Sequence, residues 1–263
     1  MSLDVVDLRD FYTNPLGKVT REVLRGRIRE AWPNVAGMNI AGIGYALPYL
    51  DMFDEARRVV ALMPDSLGVI ASANARGNNR SALVLEDALP LADSSVDRVL
   101  LVHCMEFSET LRPLLRQIWR ALAPQGRLLL VLPNRLGMWA RVESTPFGHG
   151  RPWTRTQLLQ FLREAMYAPE YSRTCLSVPP WSPCMRWANG WERIGGKLYP
   201  GLAGLLIAEA SKQVHAPIPR EGLRAFARRQ KAWQTGGDYS VRSPGHRNWS
   251  FVNPVSLSLE GSN

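Results

Sequence analysis

The stretch "LEDALPLADSSVDRVLLVHCMEFSETLRPLLRQIWRALAPQGRLLLVLPNR", residues 85–135, decides the fold. It holds two continuous apolar runs, near 97–103 and over 127–134, with no polar alternation. Between them, "SETLRPLLRQIWRALAPQG" (108–126) places Leu111, Leu114, Leu115, Ile118, Trp119 and Leu122 on one helical face. Ser108 is its candidate N-cap, and Pro124-Gln125-Gly126 is its stop signal. Uniformly apolar strands joined by an amphipathic helix predict a parallel sheet covered on both faces.

The same grammar extends outward. "RRVVALMP" (57–64) and residues 82–86 read as buried strands, and so does 35–41, which leads into a glycine turn and a short helix in "NIAGIGYALPYL" (39–50). "KVTREVLRGRIREAW" (18–32) and "WTRTQLLQFLREAM" (153–166, Thr154 as cap) read as amphipathic helices. "EYSRTCLSV" (170–178) and "AGLLIAEASKQ" (203–213) read as later strands. The expectation is an α/β, doubly wound, mostly parallel sheet with ligands at the carboxyl ends of its strands. One domain would run over 1–214, with a Pro/Gly/Trp-rich insert at about 178–202 and a basic, extended tail over 215–263.

Composition narrows the function classes. The 263 residues are 46% hydrophobic and 21% charged, an ordinary globular balance. No apolar run reaches the roughly 18 residues of a membrane span, and "MSLDVVDLRD" is too acidic and mixed for a leader, so the expected compartment is the cytoplasm. Three cysteines without a C-x-x-C pair point to neither a disulfide framework nor a metal site. The net charge is +9, of which residues 212–263 carry +5 from eight basic and three acidic residues. Such a tail can meet an anionic partner or serve as a solvated arm.

Residues 85–135 resemble a class I S-adenosylmethionine-dependent methyltransferase of the type-11 group. The resemblance rests on Leu89-Pro90, Val96-Asp97, the Arg120-Ala121-Leu122-Ala123-Pro124-Gln125-Gly126 run and the strand Leu128–Leu132. It implies a seven-stranded Rossmann-like sheet with an antiparallel last strand, here "GLLIAEASKQ". It also implies a cofactor, S-adenosylmethionine, lying across the ends of the first four strands.

Three cofactor signatures follow from the resemblance. Gly42 and Gly44 match the first two glycines of a Gly-x-Gly-x-Gly turn, where the third position is Ala46; Tyr45 lies between. The same glycines would also suit a strand-to-helix turn that needs only close packing. The acid two residues before the first glycine is replaced by Ile40, and the ribose-binding acid by Met63, with Asp65 two residues late. Near the adenine position stand Glu86, Asp87 and Ala88. "VHCMEF" places His103, a candidate general base, and Glu106 beside the cofactor and acceptor. His149 and Trp181 are further acceptor candidates, and no metal is expected.

The implied function is methyl transfer to a small-molecule acceptor. The alternative is a methyltransferase-fold protein without catalysis that binds a protein partner, for which a glyoxalase-II-type hydrolase is a candidate because relatives stand beside such a gene. Nucleic acid is not the expected partner: the Asn-Pro-Pro-Tyr or Asp-Pro-Pro-Tyr element is absent where "VHCM" stands. A membrane partner is not expected either.

Overall fold

The computed structural model describes residues 3–73, 77, 79–180 and 203–213. The insert around Trp181 and the basic tail lie outside the described residues.

Two helices precede the sheet. α1 (Val5–Thr13) starts at Asp4, whose carboxylate accepts from the backbone N–H of Val6 and Asp7 while Asp7 reaches back to Asp4 N–H, a reciprocal cap. Its apolar face carries Val5, Leu8, Phe11 and Tyr12, all buried. Asn14 ends α1 and caps α2 (Pro15–Ala31) by accepting from Gly17 N–H, with Pro15 in the first turn, where its missing N–H is harmless. A side chain at Gly17 would run into the Phe11 carbonyl, so the α1–α2 corner requires glycine.

The sheet comprises β1 (Asn39–Gly44), β2 (Arg58–Pro64), β3 (Ser81–Val84), β4 (Val96–Val102), β5 (Leu122–Pro133), β6 (Tyr167–Cys175) and β7 (Leu205–Lys212). Its order is β3-β2-β1-β4-β5-β7-β6. The first five strands are parallel to one another, whereas β7 is antiparallel to both β5 and β6. The expected seven-stranded, mostly parallel sheet with an antiparallel last strand is therefore present.

Each face has its own core. On one, Ile40, Met63, Leu100, Val102, Leu129, Val131 and Ile207 pack under α1, α2 and the single-turn α3 (Leu47–Leu50). On the other, Ala41, Ile43, Leu62, Val99, Leu101, Leu128 and Leu130 pack under α4 (Leu111–Ala121) and α5 (Arg155–Glu164). The chain thus buries both faces of its central strands, which is why those strands read as continuous apolar runs.

Three local readings are corrected. The first strand is 39–44 and not 35–41, because Gly37 (φ +74°) and the Met38 N–H to Val35 O bond turn the chain before it enters the sheet. Gly42 and Gly44 therefore lie inside the strand and not in a turn after it. The long helix stops at Ala121, and Leu122 is already paired with Val96, so Pro124-Gln125-Gly126 falls within β5. Ser108 is not its N-cap residue: Thr110 is, and Ser108 Oγ accepts from the Thr110 N–H instead.

A buried carboxylate ties α2 to the sheet. Glu209 on β7 accepts from Trp32 Nε1 at 2.8 Å and from Arg127 at 3.1 Å. Truncating Glu209 to Ala leaves the Trp32 N–H without its partner and removes two charge-assisted bonds, so stability should fall by about 2–3 kcal/mol. Urea unfolding measures this, and an unchanged midpoint would contradict the role assigned to Glu209.

Candidate cofactor and acceptor site

The carboxyl ends of β1, β2, β3 and β4 converge where the fold class places its ligand. Gly42 and Gly44 are both demanded by the chain itself. A Cβ on Gly42 would lie 2.7 Å from Ala46 Cβ and 2.9 Å from Leu50 Cδ1. Gly44 has φ +81°, and a Cβ there would strike the Val102 carbonyl and come within 2.7 Å of Cys104 Cβ. Close packing of β1 against α3 and β4 is thus sufficient reason for both glycines.

The two apolar replacements are core residues. Ile40 is 1% exposed and Met63 0%, both in the cluster under α1 and α2. Neither offers a hydrogen bond. Asp65 is exposed, and its carboxylate accepts from Ser66 N–H next door. Glu86, at the end of β3, is half-buried and already engaged, accepting from Ser108 Oγ and from Thr110 Oγ1 at 2.7 Å. Asp87 and Ala88 are exposed.

Against these ends lies α1. Its first turn is fastened beyond β2 by the Val5 N–H to Leu67 O bond at 2.9 Å. Its last turn inserts Tyr12 beside β1 and β4. The Tyr12 ring stacks on Tyr45 (centroids 5.8 Å apart, planes 23°) and meets Tyr49 edge-on at 6.0 Å. The Tyr49 hydroxyl donates to the Tyr12 oxygen at 2.8 Å, and the Tyr12 oxygen lies 2.9 Å from His103 Nε2. Since Tyr12 accepts from Tyr49, its own proton is free to bond Nε2. A neutral His103 then carries its proton on Nδ1, 3.3 Å from Glu106 Oε1. Glu106 Oε2 accepts from Cys104 N–H at 3.2 Å.

This array is closed to water: Tyr12, Tyr49, His103 and Glu106 are all 5% exposed or less. His103 also holds φ +50°, a left-handed backbone that non-glycine residues adopt at a cost of about 1–3 kcal/mol and that clusters at functional sites. Phe147 covers the imidazole, with centroids 4.7 Å apart. Burial pushes the Cys104 thiol up, so it is a poor thiolate nucleophile at neutral pH.

Among the described residues, a cavity of about 90 Å³ at these strand ends is lined by Leu3, Ser66, Leu67, Glu86, His103 and Phe107. Small-molecule sites usually measure about 300–1,000 Å³. With α1 docked, this space is smaller than such a site, and Ile40 and Met63 are buried core residues where the resemblance implies two acids.

Of the expected site residues, the fold brings Gly42, Gly44, Tyr45, Glu86, His103 and Glu106 to one end of the sheet. It sends Met63 into the core and leaves Asp87 and Ala88 at the surface. His149 lines a different cavity of about 400 Å³, with Asp7, Asp10 and Glu143, and its Nε2 bonds the Glu143 carbonyl at 2.7 Å. Trp181 lies outside the described residues. Sequence reasoning missed Tyr12, Tyr49 and Phe147. A signal for Tyr12 exists in "DVVDLRDFYTNP", where Asp4 and Asp7 form a cap and Val5, Leu8 and Tyr12 share a helical face.

Comparison with known proteins agrees with this geometry. Residues 40–130 match the family described as methyltransferase domain. The sheet is that of a class I methyltransferase. A methyltransferase chain from the complex with the Haloferax volcanii Trm112 methyltransferase activator shares 16% identity, covering 80% of this chain and 99% of that one, with a TM-score of 0.51. An S-adenosylmethionine-dependent methyltransferase from Mesorhizobium loti shares 14% identity over 71% of this chain and 96% of that one, at a TM-score of 0.49. At such identities the likeness is one of fold. No curated protein matches. Among the described residues no helix is long and apolar enough to cross a membrane, and no group of metal-ligating side chains is present.

Burial raises Tyr12 and Tyr49 well above the ordinary tyrosine value of 10.0 and pushes Tyr45 up to about 12. A phenol that keeps its proton in the folded state and loses it in the unfolded one favours folding fully below pH 10. That contribution is lost as pH rises from there toward the folded value, at about 1.4 kcal/mol per pH unit for each such group. Stability of this methyltransferase-fold chain should therefore decline steeply above about pH 10. The decline should be shallower in Tyr12→Phe, as measured by urea unfolding across the alkaline range; equal slopes would contradict the burial of Tyr12.

Proposed function

We propose that the chain is an S-adenosylmethionine-dependent methyltransferase for a small acceptor, and that its cleft admits ligands only when α1 withdraws. The observation carrying this reading is the buried His103–Glu106 pair at the end of β4, with His103 in a left-handed backbone and its Nε2 beside the Tyr12 hydroxyl. A core that needed only packing would gain nothing from a left-handed histidine facing a carboxylate in a dry pocket.

Bound S-adenosylmethionine supplies an activated methyl group on a sulfonium. The chain's own residues do the rest. His103 Nε2 holds or takes the acceptor's proton, and the Glu106 carboxylate lies 3.3 Å from Nδ1 on the other side of the ring. Tyr45, directly after Gly44, forms one wall of the cleft, and Glu86 anchors the start of α4 through Ser108 and Thr110. Positioning dominates such transfers, because the donor is already activated.

A second reading, a catalytically silent fold serving a protein partner, is favoured by Ile40 and Met63, which remove two charged contacts together worth about 3–6 kcal/mol. The structural neighbour from the Trm112 complex supports a protein partner for such a sheet, and a glyoxalase-II-type hydrolase is the candidate for this chain.

Titration calorimetry with S-adenosylmethionine and S-adenosylhomocysteine separates the two. The enzyme reading expects binding to the wild type and at least about tenfold tighter binding to Tyr12→Ala, whose plug is shortened. No heat from either folded protein at millimolar ligand would overturn it. Gly44 variants are unsuitable for this test, since Gly44→Ala should itself destabilise the fold by more than about 2 kcal/mol.

A further inference from the structure

The position of Tyr12 also specifies a ligand. We propose that the slot it fills is a binding site for an aromatic hydroxyl compound, and that Tyr12 occupies it in place of that ligand while α1 is docked. The inference rests on the proposed function only in calling that compound the acceptor.

Besides Phe11 on its own helix, three rings surround that of Tyr12. Tyr45 offers a face at 5.8 Å, Tyr49 lies perpendicular at 6.0 Å and His103 is tilted at 5.8 Å. The slot is therefore flat-walled and apolar, matched to one six-membered ring. At its end two polar groups converge on a single oxygen. Tyr49 donates to it at 2.8 Å, and His103 Nε2 lies 2.9 Å away, accepting from it in the tautomer that carries its proton on Nδ1.

This pair of contacts selects among ligand chemistries. The bound atom must accept one hydrogen bond and donate another. A hydroxyl does both. A carboxylate has no proton to offer Nε2, and an ammonium has no lone pair for Tyr49. Burial disfavours either charged group further. A plain hydrocarbon would leave Nε2 and the Tyr49 hydroxyl unpaired.

Tyr12 belongs to an element outside the sheet. Its helix precedes the sheet in sequence and joins the rest of the chain through the Asn14–Pro15 corner. The hydroxyl on Nε2 also faces the correct base. When the imidazole takes the phenolic proton, the O–H bond breaks, its electron pair stays on oxygen as a phenolate, and the new N–H forms on Nε2. The imidazolium then bears protons on both nitrogens, with Nδ1 facing the Glu106 carboxylate at 3.3 Å. The slot thus binds a phenol and can convert it to its nucleophilic form.

The test uses the full chain without cofactor, with 4-methylphenol and toluene as probes. In Tyr12→Gly the slot is vacated, and 4-methylphenol should bind at least about tenfold more tightly than toluene, because the site's polar groups pair only with a hydroxyl. That preference should fall in Tyr12→Gly combined with His103→Leu, and vanish when Tyr49→Phe is added. Thermal unfolding reads the same preference if Tyr12→Gly is only partly folded, since the favoured probe raises its midpoint more. In the wild type, millimolar 4-methylphenol should shift the His103 ring resonances as it displaces Tyr12. Equal binding of the two probes, a preference undiminished by loss of His103, or unmoved His103 signals in the wild type would each overturn the proposal. Because no cofactor takes part in this test, such a failure leaves the methyltransferase reading standing. A failure of S-adenosylmethionine to bind likewise leaves the slot's result intact.

Discussion

The hydroxyl of Tyr12 lies between Tyr49 and His103, and the arrangement of the site depends on it. It satisfies two buried polar groups at once, fixes the tautomer of His103 and fastens the last turn of α1 over the ends of β1 and β4. Leaving either partner unpaired in this dry environment would cost about 1–3 kcal/mol. A single side chain therefore couples the position of a helix to the state of a base.

That coupling reconciles two features that would otherwise conflict. The sheet is the methyltransferase one, with the expected strand order and an antiparallel β7. Among the described residues, however, the cavity at its ligand end measures about 90 Å³. Under the proposed function the small volume is that of a closed state, since the group filling the cleft is carried on a helix outside the sheet. That helix is held over the strand ends by its buried face, Val5, Leu8, Phe11 and Tyr12, and by the bonds of Val5 to Leu67 and Tyr12 to His103.

The fold was legible because both faces of the central strands are buried, which forces uninterrupted apolar runs such as Leu128–Leu132. Boundaries were less so. Gly37 turns the chain ahead of β1, and pairing with Val96 draws Leu122 into β5 earlier than the Pro-x-Gly signal suggests. The site was half legible. His103 and Glu106 follow from their place after β4, but the significance of Gly42 and Gly44 did not, because the atoms they accommodate belong to Ala46, Leu50, Val102 and Cys104, remote in sequence or hidden by the turn. Tyr12 and Tyr49 could be assigned to a helix and a turn, yet nothing in their spacing says that their hydroxyls meet over a histidine 91 residues from Tyr12.

The central claim is that ligand entry and α1 docking exclude each other. Amide hydrogen exchange across residues 5–13, followed while S-adenosylhomocysteine is added, measures this directly. Exchange in α1 should accelerate as the ligand binds, while the amides of β4 and β5 stay protected. Binding that leaves α1 as protected as before, or that protects it further, would contradict the claim.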